Sequence, residues 1–366
     1  MRKFNLIISI FIVLFSITKI NGIDINNELY PTSLAFDYNN ENKELILYFQ
    51  IINPSFLSKN ENVNNFTKNS TFTIKQNGST FYDCYNKINS ITKQRISLRH
   101  IQSMILSNNI INNPNLTHNL ILLLIKNHTL PSNIYIYATS DNIDDIYNNK
   151  NVMDESSYFS LLDNPQDSNI GSIIYPKTLL EAAISILDNQ KMYYIPSIYL
   201  DENIEAVDGG KKNKVLNLNG CYFTSFNKYD FIFLKLDKIK GFSYFYSKNI
   251  DSLEINSINN KYFLRIHQVN SKISVEKNMN YLSLSLNEID LLCPLTTNLE
   301  KAKKEIHNEI YKDILNLYNL SIEKNIDIFN IKDLRYRYKK SPNLMDLSIK
   351  IKTNYQTIQY YSSITT

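Results

Sequence analysis

The side chains able to do chemistry are few, and they are scattered. The histidines are His100, His118, His128, His267 and His307. His118 and His128 stand on either side of a helix end, which is poor spacing for one metal ion. No H-E-x-x-H helix, calcium-loop spacing of Asp and Glu, G-x-S-x-G elbow or phosphate-binding loop occurs. His100 opens an apolar run, where a hydrogen-bonded structural role is expected. Cys84, Cys221 and Cys293 are isolated and without C-x-x-C spacing. An odd, sparse set in an exported chain argues against a disulfide scaffold and against zinc. They read as small buried hydrophobes. Asp144-Asp145 and Asp154-Glu155 fall in loops or helix ends, where acids cap and solvate. A glycosidase-like carboxylate pair meets only in three dimensions, so sequence leaves it open. The tyrosine-rich stretch from Gly220 to Ser247 offers a sugar-stacking surface or, more plainly, half-buried strand formers. No catalytic, cofactor-binding or metal-binding residue is singled out, no cofactor is expected, and binding residues stay unassigned. A binding or assembly role is favoured over an enzyme.

Those side chains must be positioned by a chain of 366 residues, enough for two or three cores. It holds seven glycines and no tryptophan. The formal charge of +4 falls to +1 without Arg2, Lys3 and Lys19. Nothing in that balance resembles a nucleic-acid or anionic-lipid footprint, which needs clustered excess positive charge. Arg2 and Lys3 precede an apolar run from Phe4 to Ile17, followed by Ile20-Asn21-Gly22. The pattern is that of a secretion signal cut before Ile23, with an uncleaved anchor as the alternative. Sequons at Asn65, Asn69, Asn77, Asn115, Asn127 and Asn319 keep a second reading open. That reading is a secreted eukaryotic surface glycoprotein or cryptic carbohydrate-active protein.

Periodicity predicts a hairpin from Leu29–Tyr38 and Lys43–Ile52, then a polar loop over Phe56–Gly78. A helix starts at Thr80, capped in the Thr80…Asp83 manner. Strands are expected at His100–Ser107 and Asn133–Thr139, and helices at Leu116–Asn127 and Thr178–Asn189. Gln190–Leu200 reads as a strand with Pro196 near an edge. The charged, Gly-Gly-bearing Asp201–Lys214 reads as a linker. Val215–Phe226, Tyr229–Leu236 and Gly241–Ser247 read as a small antiparallel unit turning at Asn227-Lys228. Strands at Tyr262–Glu276 and Met279–Leu292 precede a helix from Leu299 to Lys324. Its cap is Thr297 with Glu300, its stripe Leu299, Ala302, Ile306, Ile310, Ile314 and Leu317, and its surface pair Glu300–Lys304. Ile331–Lys340 is helical, and Asn343–Tyr361 is one strand or a hairpin. The expected division is a signal segment 1–22, an α/β domain 23–205, an antiparallel β domain 206–254 and an α+β domain 255–366. The fold class is α+β, a three-domain ectodomain with mixed sheets flanked by helices.

The order of these segments resembles the Ger(x)C family, the C subunit of the nutrient germinant receptors of bacterial spores. The likeness rests on Asn27-Glu28-Leu29, Asp37, Asn53-Pro54, Gly78-Ser79-Thr80 and His100-Ile101. It continues through the strand at Leu218–Phe223 and through Asp327, Phe329, Arg335 and Tyr338 after the long helix. It runs collinearly from about Ile25 to Tyr360. It implies a non-catalytic ectodomain at the outer face of the spore inner membrane, beside integral-membrane A and B subunits, acting in nutrient-triggered germination. Family members usually carry a lipid-bearing cysteine after a small residue. Here Gly22 is followed by Ile23, so lipidation at that junction is chemically impossible.

Overall fold

A computed structural model describes residues 28–52, 71–127, 129–149, 174–188, 191–208, 211–225, 230–257, 260–276, 279–295, 297–338 and 347–361, with Leu162 and Pro165. The signal segment 1–22, the Ile23 junction, Asn53-Pro54, Asn65, Asn69, His128, Asp154-Glu155 and the Asn227-Lys228 turn lie outside them. The class is α+β, with mixed sheets and helices on their faces.

The first half opens with β1 (Glu28–Leu29), β2 (Pro31–Asn39), β3 (Glu44–Ile52) and β4 (Thr71–Gly78). Then come α1 (Phe81–Ile91), β5 (Arg95–Ile96), β6 (Ser103–Ser107), α2 (Asn108–Ile111), α3 (Pro114–Ile125) and β7 (Tyr135–Thr139). It continues with α4 (Ile143–Asn148), α5 (Leu179–Leu187), β8 (Tyr194–Asp208), β9 (Lys211–Thr224) and β10 (Phe231–Lys235). The second half holds α6 (Lys240–Tyr246), β11 (Ile250–Asn256), β12 (Lys261–Val275) and β13 (Asn280–Pro294). It ends with α7 (Leu299–Glu323), α8 (Ile331–Arg337) and β14 (Leu347–Tyr361).

Eight strands form one sheet in the order β10-β9-β8-β7-β6-β2-β3-β4, and β2, β6, β7 and β8 run parallel. Every residue of β6 is buried, as expected for a parallel strand covered on both faces. Alternation then sorts the side chains. Leu34, Phe36, Met104, Leu106, Ile136 and Ala138 pack with α1, α2, α3 and α5. Ala35, Ile105 and Tyr137 face the opposite core, shared with α4, α6, α7 and the second sheet. That sheet has the order β11-β12-β13-β14.

β13 illustrates how the register is kept. Its buried residues are Leu282, Leu284 and Leu286, then Ile289, Leu291 and Cys293. The phase slips by one at a bulge where Glu288 adopts φ 55°. The extra residue lets both halves of the strand face the same core.

Local caps start the helices where the sequence predicts them at Thr80 and Thr178. Thr80 Oγ1 accepts from Asp83 N, and Thr178 with Glu181 forms a full capping box. The long helix buries Ala302, Ile306, Ile310, Ile314 and Leu317 of the predicted stripe, together with Tyr318, while Leu299 at its start is half-buried. Its cap is Asn298 rather than Thr297, through bonds from Glu300 N and Lys301 N. Glu300 pairs with Lys303, one residue before the expected Lys304.

Other expectations are corrected by long-range pairing. Thr71–Gly78 is an edge strand, which tolerates its polar composition. Pro196 lies on an interior strand, just ahead of the short β7–β8 ladder that begins at Ser197. His100 ends a 3-10 turn and is exposed against Tyr30, before the strand starts. Asp201–Lys214 is no linker: β8 and β9 pair through it, from Asp201↔Val215 to Asp208↔Lys211. A boundary at residue 205 therefore cuts a ladder, and β9 and β10 complete the first sheet while β11 belongs to the second. Gly241–Ser247 lies within and just after a helix rather than in a strand; Phe242 and Tyr246, four apart, stack at 4.3 Å. Gly241 permits the contact beneath, since a Cβ there would stand 2.8 Å from the Asp313 carbonyl oxygen on α7.

Ile310 is fully buried at the middle of the α7 stripe. Ile310→Asp is expected to cost on the order of 4 kcal/mol, because it buries an unpaired charge. Denaturant unfolding with an unchanged midpoint would show that the stripe does not carry the packing.

Candidate functional site

The carboxyl ends of parallel strands are where open α/β sheets usually hold ligands. Here that end is polar. Asp37 accepts from Ser107 Oγ at 2.5 Å, from Asn109 Nδ2 at 3.0 Å and from Tyr38 N at 2.8 Å. Asp141 accepts from Leu200 N at 2.7 Å. Asp201 accepts from Tyr199 Oη at 2.7 Å and Asn217 Nδ2 at 3.3 Å. Burial and that carboxylate push the Tyr199 phenol up to about 12. Asp144 is paired with Lys75 at 2.7 Å. These carboxylates tie strand ends together, and none stands with a histidine.

A second polar cluster is deeply buried and follows α7. Ser321 Oγ donates to Ile326 O, and Asn325 takes a left-handed φ of 56°. Asp327 accepts from Ile331 N at 2.8 Å and Lys332 N at 2.6 Å, so it caps α8. Burial pushes its carboxyl up to about 6, against the opposing pull of those two amides. Asn330, also left-handed at φ 52°, accepts from Met192 N at 2.8 Å and donates to Tyr246 Oη at 3.3 Å. Tyr246 Oη in turn donates to Ile328 O at 2.5 Å. Phe329 packs edge-on against Phe245 with centroids 5.1 Å apart. Arg335, almost wholly buried, donates from Nε to Asn280 Oδ1 at 2.8 Å. Asp327, Phe329 and Arg335, singled out by sequence, thus share one corner; Tyr338 is exposed and stands apart. Asn280, Asn298 and Asn330 were missed. Asparagine is so abundant that no composition signal separates these three from the rest.

The remaining reactive groups stay dispersed. His118 packs on Phe231, and His267 pairs with Asp290 at 2.7 Å on the outer face of the second sheet. All three cysteines are free and buried, and burial pushes the Cys84 thiol up to about 11. Thr117 and Ser321, the hydroxyl residues of two sequons, are buried and bonded to Ile110 O and Ile326 O. Among the described residues no group of His, Cys, Asp and Glu is placed to hold a metal ion. Their polar clusters work as clasps between elements.

Residues 21–200, which build most of the first sheet, match the family model of the spore germination protein N-terminal domain. The crystal structure of the GerBC protein is similar over 88% of this chain and 96% of its own, at 14% identity and a TM-score of 0.49. No curated protein matches the chain. The first half of the molecule is therefore a spore germination domain. Residues 21–200 thus belong to the spore germination protein N-terminal domain family, in keeping with the resemblance to the Ger(x)C family.

The corner makes stability depend on pH. Asp327 has a folded pKa of about 6 against an ordinary 3.8. Its contribution is fully present below the unfolded value and is lost as pH rises through about 6, because the charged form must then stay buried. Relative to Asp327→Asn, the native protein should lose on the order of 2–3 kcal/mol between about pH 4 and pH 7. Parallel stability–pH curves for the two proteins would refute the assignment.

Proposed function

We propose that the protein is the non-catalytic C subunit of a nutrient germinant receptor, held at the outer face of the spore inner membrane beside integral-membrane A and B subunits. The family match over residues 21–200 carries this reading. The clasped, dispersed polar groups support a role in assembly rather than turnover. None of the described helices is long and apolar enough to cross a membrane. With Ile23 at the junction no lipid is attached there, so retention falls to partner subunits or to an uncleaved Phe4–Ile17 segment.

Deleting the gene should abolish germination in response to at least one nutrient while leaving spore formation intact. An unchanged response to every effective nutrient overturns the proposal. In fractionated spores the protein should sediment with inner membrane. Intact mass will separate the two modes of retention, since loss of residues 1–22 is easily resolved. A cleaved form should move to the soluble fraction when the two membrane subunits are deleted.

A further inference from the structure

The two edges of the first sheet carry opposite charge. No Asp or Glu occurs between Asp83 and Asp141, a stretch that holds Lys87, Lys93, Arg95, Arg99 and Lys126. The topology gathers most of these cations at one place. α1 starts beside Gly78, at the carboxyl edge of the parallel strands, and returns along the sheet. Lys93, Arg95 and Arg99 follow its end, where β5 pairs with β1 and Gln102 N bonds Thr32 O at 2.9 Å. α3 likewise returns to the amino edge and ends at Lys126, just before β7. Lys93, Arg95, Arg99 and Lys126 are exposed, and none makes an ion pair among the described residues. Of the acids at this edge, Glu181 caps α5 and Asp188 pairs with Lys191 at 3.5 Å; Glu28 and Asp230 are the others. At the carboxyl edge acids outnumber cations: Asp37, Glu41, Glu44, Asp83, Asp141, Asp144 and Asp145 stand with Lys43, with Lys87 paired to Asp83 at 3.0 Å and with Lys75 paired to Asp144 at 2.7 Å.

The same amino edge exposes aliphatic side chains. α5 is pinned there, with Leu179 N bonded to Ile134 O and Leu180 N to Ser132 O. Its inner face buries Leu179, Ala182 and Ala183. Its outer face presents Leu180, Ile184 and Leu187 at 46%, 44% and 71% exposure, four and three residues apart. Ile91, at the end of α1, is 70% exposed. An aliphatic helix stripe flanked by unpaired cations matches the chemistry of an anionic bilayer surface, apolar at the acyl boundary and negative at the headgroups. A soluble partner's groove would account for the stripe but not for the segregated charge. The chain also enters the described body here, at Glu28, eleven residues past the apolar run that ends at Ile17.

We infer that the amino edge of the first sheet, through Leu180, Ile184, Leu187 and the cations Lys93, Arg95, Arg99 and Lys126, lies against the anionic headgroups of the bilayer. The acidic carboxyl edge then points away from the lipid. The inference rests on the receptor-subunit reading only for the presence of a membrane.

The three native cysteines are buried, so a single introduced thiol can be labelled selectively. Full-length protein carrying Leu187→Cys or Glu41→Cys is labelled with a polarity-sensitive dye. It is then reconstituted into phosphatidylglycerol–phosphatidylcholine vesicles or into phosphatidylcholine alone, each with a lipid-borne quencher. Quenching is expected at position 187 in anionic vesicles only, with loss at high salt. No quenching is expected at position 41. Replacing Lys93, Arg95, Arg99 and Lys126 by Gln should reduce position 187 to the level of position 41 while the protein stays with the vesicles. Equal exposure to water at both positions in both vesicles overturns the inference. So does shielding of position 187 that needs the membrane subunits, which would make the stripe a protein interface. Shielding that grows with protein concentration without lipid also overturns it, in favour of a second copy. A germination defect that failed to appear would sink the receptor reading and leave this measurement untouched.

Discussion

Asn330 is the hinge pin of the molecule. Its left-handed backbone ends the turn after α7 and starts α8. Its side-chain oxygen takes the amide of Met192, two residues before β8, and its nitrogen reaches Tyr246 on α6. One side chain thus ties the first sheet, the connecting helix and the C-terminal helices. Left-handed φ is tolerated by Asn better than by almost any other residue with a Cβ, and its amide supplies both donor and acceptor. Asp327 and Arg335 complete the corner from the same short segment. The cost of burying such polar groups is met only if they are bonded.

Around that corner the two sheets share one apolar core, drawn from both halves of the chain. The stripe of α7 fills it, and Tyr262 donates to Glu305 on that helix at 2.6 Å. The other face of the first sheet has its own core under α1, α2, α3 and α5. The polar groups of the corner are tied in clasps between elements.

The local code was legible wherever a structure depends on residues within one or two turns. α7, α5, α1, the β2–β3 hairpin and the β12–β13 pair follow from caps and from apolar period. The slip from Leu286 to Ile289 was found only in the structure, where Glu288 takes a left-handed φ. The failures share a cause. Gly241–Ser247 is a short apolar run, which periodicity cannot divide between helix and strand. Lys211–Lys214 looks like a linker because its residues are charged, yet β8 supplies the backbone partners. The polar Thr71–Gly78 becomes a strand because β3 offers an open edge.

By itself the sequence determined the class of the fold, the helices α1, α3, α5, α7 and α8, most of the strands, and the burial of the cysteines. It also held Asp327, Phe329 and Arg335 as a pattern without saying what they touch. Only the tertiary structure decided that β9 and β10 join the first sheet, that Asn330 reaches Met192, and that cations spread from Lys93 to Lys126 meet at one edge. Caps and amphipathic stripes are satisfied within a few residues, so they can be read along the chain. Strand neighbours, clasps and surface charge depend on which distant segments the packed cores bring together.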